Sequence, residues 1–388
     1  MGGDDTTREA ADRRGGSLYV HVPFCSSVCR YCHFPRTAAH DPSLRRRLVS
    51  AVVRELTLRR ADCDVLARGT RPLLTAYVGG GTPSVLEPEL FAELLAGTVG
   101  TLFTAPDFEL TAEANPESFD ERVAAAWREA GVQRVGLGVQ SLTPVVLRRL
   151  GRACDPATAR AALVRAVRYF QRVSADWILA PGVTLATLAA ELDEALDLGV
   201  EHVSLYILEV HAGTPLAGDV AAGRLRLPTE RAWEVLYLGA VEHLEARGLR
   251  QYEVASFARP GAESRHNGGY WTLRPYLGLG PGAHGYWGRR RYENLRDPSA
   301  YCDAVEAGRL PEETVDPLDR RARRLEGLIL PLRTADGVPL ASLPPGALDL
   351  PRGELEGLWR VEGDRLRLTP RGFLRLDALE ELLARALG

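Results

Sequence analysis

Residues 25–32 hold three cysteines, Cys25, Cys29 and Cys32, at C-x₃-C-x₂-C spacing, directly after an apolar segment (Leu18 to Val22) that reads as a β-strand. No other stretch restricts the fold as much. Thiolates this close along a chain can converge on one metal centre, and soft sulfur ligands select zinc or iron–sulfur clusters. A structural zinc site takes four ligands, and His33 and His40 stand nearby as the fourth. A disulfide between two of the three is another reading. The remaining alternative is a [4Fe–4S] cluster held by three cysteines, with one iron open to a small molecule.

The rest of the chain sets bounds. At 388 residues it can bury a large core, and its length predicts two to three domains. Hydrophobic and charged contents of 45% and 26% are those of an ordinary globular protein. A net charge of −3 exerts no overall pull on nucleic acid or an anionic membrane. Cys63, Cys154 and Cys302 are scattered without the spacing of a disulfide framework, which fits a reducing compartment. Met1 to Gly16 is polar, lacks a signal-peptide core and is expected to be a disordered leader. No apolar run is long enough to span a membrane, so the expected location is cytoplasmic.

Along the chain, apolar runs predict strands at Leu18–Val22, Leu73–Val78, Phe108–Ala112, Arg134–Val139, Val173–Leu179 and His202–Val210. Helical spacing covers Ser43–Arg60, Glu87–Leu95, Glu121–Ala130, Pro156–Phe170 and Leu185–Leu198 between them. Strand–loop–helix units repeated in this way predict parallel strands with helices outside. Right-handed crossovers curl such a sheet into a partial (β/α)₆ barrel. Chemistry in parallel barrels gathers at the carboxyl ends of the strands. The cysteine loop, Gly79–Pro83, Glu113–Pro116, Gln140 and the Asp176 region all fall at such ends. The glycine triplet offers backbone to a close ligand, or forms a plain turn. Glu113, Gln140 and Arg152 supply an acceptor, an amide and a permanent cation, the types that an amino-acid-like ligand needs.

The cysteine spacing resembles that of the radical S-adenosylmethionine (SAM) superfamily. The order Tyr-x-His-x-Pro-Phe-Cys, Gly-Gly-Gly-Thr-Pro-Ser, Glu-Ala-Asn-Pro, Gly-Val-Gln-Ser and Leu-Gly-Arg is similar to that of the oxygen-independent coproporphyrinogen III oxidase family, from about Leu18 to the C-terminus. That resemblance implies a [4Fe–4S] cluster on Cys25, Cys29 and Cys32 with Tyr31 beside it. It implies SAM held at its methionine end by Gly80, Gly81 and Thr82, with Tyr19, Glu113, Gln140, Arg152 and Asp176 lining the rest. In the family, one electron entering the cluster cleaves SAM to a 5′-deoxyadenosyl radical. An electron donor such as flavodoxin or ferredoxin is therefore implied as a partner.

The family's haem-chaperone branch carries an H-N-x-x-Y-W segment. His266 and Trp271 match it here, which implies a haem contact in a glycine-rich loop. Phe34 stands where the oxidase has a fourth cysteine, which favours the chaperone branch and delivery of haem to acceptors, with peripheral membrane association. His33, and an Asp176–Gly182 run one residue shorter than the family's, depart from that branch. They keep open an enzyme of the methyltransferase or cyclopropanase type, with one or two SAM molecules and a small-molecule substrate, and less readily the oxidase itself.

The resulting organisation is a leader at 1–16, a radical SAM partial barrel at 17–215 and a barrel extension at 216–314. A small α+β, winged-helix-like domain at 315–388 follows. In that domain Trp359-Arg360-Val361 and Leu366-Arg367-Leu368 flank a glycine turn as a hairpin, and Thr369-Pro370 opens a final helix. Pro351 to Gly388 contains seven arginines against seven acids. That balance lacks the basic patch of a nucleic-acid wing, so a packing or partner-docking role is expected.

Overall fold

The computed structural model describes residues 15–38, 41–60, 71–287, 290–344 and 356–386. Most of the expected leader, His40 and Cys63 lie outside the described residues. Six strands form as the apolar runs predict: β1 (Gly16–Val22), β2 (Leu73–Gly80), β3 (Thr104–Ala114), β4 (Arg134–Gln140), β5 (Arg172–Leu179) and β6 (His202–Ile207). Each pairs in parallel with the next. The sheet is covered on both faces, so β4 is buried at every position.

Between the strands run α1 (Pro42–Arg59), α2 (Pro88–Gly97), α3 (Glu121–Glu129), α4 (Pro144–Leu150), α5 (Pro156–Tyr169) and α6 (Leu185–Leu198). Asp41, Asp120, Asp155 and Thr184 each accept an amide hydrogen bond from the first turn of the helix that follows. These caps fix where α1, α3, α5 and α6 begin. On α1, Leu48, Val52 and Leu56 form the buried stripe.

The sheet is wider than six strands. After α7 (Pro215–Ala221) and α8 (Glu230–Ala246), the chain adds β7 (Arg250–Gln251) and β8 (Ser256–Ala258), then α9 (Arg265–Trp271) and β9 (Tyr276–Leu279). Next come β10 (His284–Trp287), β11 (Arg290–Asn294), α10 (Pro298–Glu306) and β12 (Glu312–Pro317). The strand order is β12-β11-β10-β9-β1-β2-β3-β4-β5-β6-β8-β7. β9 is a seventh parallel strand, set against the free side of β1 with Leu18 opposite Leu277. β10 to β12 and β8 to β7 extend the two edges in antiparallel fashion.

A buried charge cluster locks this extension to α1. Arg59, fully buried, donates to Glu55 (2.7 Å), Glu312 (2.8 Å) and Asn294 (2.7 Å). Glu55 in turn accepts from Tyr301 (2.5 Å) and from the Gly280 amide (2.9 Å).

After α11 (Arg320–Leu332) come β13 (Val338–Pro339), β14 (Trp359–Glu362), β15 (Arg365–Leu368), α12 (Pro370–Leu374) and α13 (Leu376–Ala386). β14 and β15 form the expected hairpin, turning at Gly363 with φ 61°. The final helix is split at Arg375. Leu332, Val338, Leu366, Phe373, Leu379 and Leu383 build a core of their own. Among the described residues no helix is long and apolar enough to cross a membrane.

Candidate metal and ligand site

The cysteine loop is closed at its base. Phe24 and Cys25 pair with Thr37 and Ala38 in a short parallel bridge, and the Thr37 amide donates to the Pro23 carbonyl at 2.7 Å. Its middle is pinned by Arg30, whose amide donates to the Leu150 carbonyl and whose carbonyl accepts from the Leu216 amide, both at 3.0 Å. Cys25 and Cys29 are buried and Cys32 is partly exposed. All three are free thiols, so the disulfide reading is not realised.

The thiols face a cavity of about 440 Å³ at the carboxyl ends of the strands. Gly80, Gly81 and Thr82 at the end of β2, Glu113, Gln140, Arg152 and Asp176 line it as well. Tyr31 lies beside Cys29, and burial, followed by that cysteine, pushes its phenol pKa up. Thr82 Oγ1 donates toward Cys25 Sγ at 3.5 Å. Arg152 Nη1 lies 3.4 Å from Cys29 Sγ, while its Nη2 donates to Asn115 Oδ1 (2.9 Å) and the Gly138 carbonyl (2.8 Å). Asn115 Nδ2 donates to Thr82 Oγ1 at 2.9 Å, which closes a ring of polar contacts behind the thiols.

Two half-buried carboxylates, Glu113 and Asp176, line this cavity. Glu113 accepts from Tyr77 (2.5 Å) and from the Gly80 amide (3.1 Å), yet burial outweighs both bonds and raises its pKa. Burial, and then the Glu113 charge, push Asp176 up to about 7. Gln140 is buried and holds φ 66°, a left-handed backbone in a non-glycine residue, at a register shift of β4 on β5. Strain of this kind persists where surroundings over-determine it, and it clusters at functional sites.

The fit to a cluster rests on chemistry already in place. Burial raises the Cys25 and Cys32 thiol pKa values, so a bound metal would have to displace protons from them. Arg152 Nε is buried without a hydrogen-bond partner, a donor left over beside the thiols. Among the described residues no three Cys, His, Asp or Glu side chains gather as one ion's ligands would. Three thiols on one cavity suit a polynuclear centre with one iron open better than a four-ligand zinc site. His33 lines the same cavity; its ring is tilted against His211 (3.5 Å between centroids) and stacked on Phe34 (4.9 Å).

Tyr19, expected beside SAM, and His266 and Trp271, expected to meet haem, do not line this cavity. Tyr19 lines a second cavity, of about 510 Å³, and its hydroxyl meets His21 Nδ1 at 3.0 Å. It shares a strand face with His21, while Leu18, Val20 and Val22 take the core face. His266 is in α9 rather than a loop, because Ser264 caps that helix. It is 1% exposed, and both ring nitrogens are engaged, by Thr75 Oγ1 (2.9 Å) and Tyr270 OH (2.8 Å). An iron ligand needs a free ring nitrogen, and His266 has none here. Trp271 lines the second cavity and donates from its indole to Glu253. Asn115 was missed by sequence reasoning, although it sits inside the quoted Glu-Ala-Asn-Pro motif.

Residues 19–195 match the family model of the Radical SAM superfamily. The chain is 39% identical over 376 residues to the heme chaperone HemW of Mycobacterium tuberculosis (strain H37Rv), covering 94% of each chain. It is 32% identical over 326 residues to the heme chaperone HemW of Bacillus subtilis, covering 83% of this chain and 84% of that one. Among solved structures, coproporphyrinogen III oxidase (HemN) from Escherichia coli aligns with TM-score 0.80 at 21% identity, over 98% of this chain and 93% of that one. At that identity it speaks for the fold alone. The cysteine loop at the mouth of a parallel sheet and the near full-length HemW likeness lead to one conclusion: the chain belongs to the HemW family of radical SAM proteins.

Proposed function

We infer that the protein binds haem and passes it to acceptor proteins, and that it carries a resident [4Fe–4S] cluster and SAM. The observation that carries this reading is the 39% identity over 94% of the chain to a protein named as a heme chaperone. Cys25, Cys29 and Cys32 would hold the cluster. Gly80, Gly81, Thr82, Glu113, Gln140, Arg152 and Asp176 would bind SAM, and Tyr31 would pack beside the iron. When bound, that pair supplies one-electron reductive cleavage of the sulfonium. The chain's own residues do the positioning: Arg152 offsets negative charge at the thiols, and Thr82 and Asn115 orient it.

The partial barrel at 17–215, its extension to 314 and the module from 315 onward divide these tasks, with the last docking to partners. The protein works in the cytoplasm or against the membrane surface, with a flavodoxin or ferredoxin as electron donor. A second reading, a radical SAM enzyme acting on a small molecule, is favoured by the ligand-type residues gathered around the first cavity.

Anaerobic reconstitution with iron and sulfide, then SAM and dithionite, with haem titrated in parallel, separates the two. Haem uptake with little 5′-deoxyadenosine supports the chaperone. Deoxyadenosine without haem uptake makes the protein an enzyme. No iron uptake refutes the cluster.

A further inference from the structure

The second cavity has a character that the SAM site does not explain. Its wall carries a row of tyrosines: Tyr270 meets Tyr276 edge to face at 4.7 Å, and Tyr276 lies 6.4 Å from Tyr286. Three arginines line it too. Arg291 is matched by Glu326 through two bonds (2.8 and 3.0 Å), and Arg296 by Glu293 at 2.6 Å. Arg274 donates to the Arg265 carbonyl at 3.2 Å and makes no salt bridge with a described residue. Burial, and then the Arg265 charge, lower its pKa, against a smaller opposing pull from Glu109. Aromatic walls with one unmatched cation, in a space of about 510 Å³, fit a flat aromatic ligand bearing carboxylates.

The histidines along this cavity differ in what they offer. His21 is used at both nitrogens, by Tyr19 and by the Pro35 carbonyl (2.8 Å). His33 lies between two rings and borders both cavities. His284, on β10, has a side chain 60% exposed, and its Nε2 is 3.8 Å from the Glu293 carboxylate, beyond hydrogen-bonding reach. The loop that presents it is held firmly: Gly280 donates to Glu55 (2.9 Å) and accepts from Asn294 (2.9 Å), and Gly282 donates to the Leu295 carbonyl (3.0 Å).

We propose that this cavity is the haem site, with the macrocycle against Tyr276 and Tyr286, a propionate on Arg274 and the iron on His284. The assignment rests on the haem-binding reading above and moves the iron ligand from His266 to His284.

The test titrates haem, and separately metal-free protoporphyrin IX, into the full-length, cluster-loaded protein under anaerobic conditions. Difference absorbance and electron paramagnetic resonance report ligation, and circular dichroism checks each variant's fold. Wild type is expected to show a histidine-ligated haem spectrum, and His284→Ala to lose it while still binding protoporphyrin IX. Arg274→Ala is expected to keep the spectrum but bind both ligands about tenfold more weakly, the scale of one charge-assisted pair. His266→Ala is expected to keep the spectrum while folded. An unchanged spectrum in His284→Ala, or its loss in His33→Ala alone, overturns the assignment. Equal loss of haem and protoporphyrin IX in His284→Ala also overturns it, since the imidazole would then not be acting on iron. No haem uptake by wild type refutes the chaperone reading itself.

Discussion

Arg152 donates to Asn115 and to the Gly138 carbonyl, reaches toward Cys29 and lies 3.5 Å from Glu117. Arg152→Ala leaves those partners buried and unmatched. It is expected to cost about 3 kcal/mol of stability and to lower iron retained per chain after reconstitution; an unchanged urea midpoint and iron content would count against this role. Asp176 makes a prediction in pH. Its folded pKa of about 7 lies above the unfolded value near 3.9, so the folded protein holds the proton that the unfolded chain has released. Stability should therefore fall as pH rises from about 4 to about 7 and level off above that. Asp176→Asn should flatten this slope and be the more stable protein at pH 8, as urea unfolding at several pH values would show.

At this scale the sequence was legible where chemistry is carried by spacing. Cys25, Cys29 and Cys32 lie together because a short loop leaves them no other place. Tyr19 goes with His21 because side chains alternate along a strand, and it lines the second cavity. His266 reads as a loop residue because glycines around it hide a helix whose cap, Ser264, precedes it.

At the level of elements, the turn after β2 is built against the cysteine loop. A Cβ on Gly81 would lie 2.7 Å from the Phe24 carbonyl oxygen, so that position admits no side chain unless the loop moves. Gly81→Ala is expected to destabilise the protein by about 1–3 kcal/mol, as overpacking does, and to loosen the cluster. Gly218→Ala, in a helix with nothing within 4 Å, serves as the control and should leave the cluster intact while raising stability slightly. Cluster absorbance after gel filtration and a thermal melt would check both.

The glycines that the sequence suggested for ligand approach are thus required first by the protein's own packing. β1 to β6 were legible because strands buried on both faces read as apolar runs. β9 was not: it has only four residues, Tyr276–Leu279, between Pro275 and Gly280, and a parallel partner 259 residues away (Leu18 against Leu277) supplies its hydrogen bonds. The antiparallel edges were hidden for the same reason, since short strands take their register from neighbours rather than from local pattern.

Across the whole molecule, the two cavities share a wall. His33 and Phe34, straight after the last cluster cysteine, border both. If each cavity holds its proposed ligand, whatever moves Phe34 in one is felt in the other. SAM is expected to change the haem dissociation constant, and haem must then change the SAM dissociation constant by the same factor, because coupling between two sites is reciprocal. Calorimetric titrations in both orders would measure it, and Phe34→Ala should shrink the coupling. A factor of one in both orders would mean that the wall transmits nothing. With coupling, the partition becomes a logic element: cargo occupancy and the cluster's ligand state are read as a single variable, so a loaded chain and an empty one present different reactivity to the same donor of electrons.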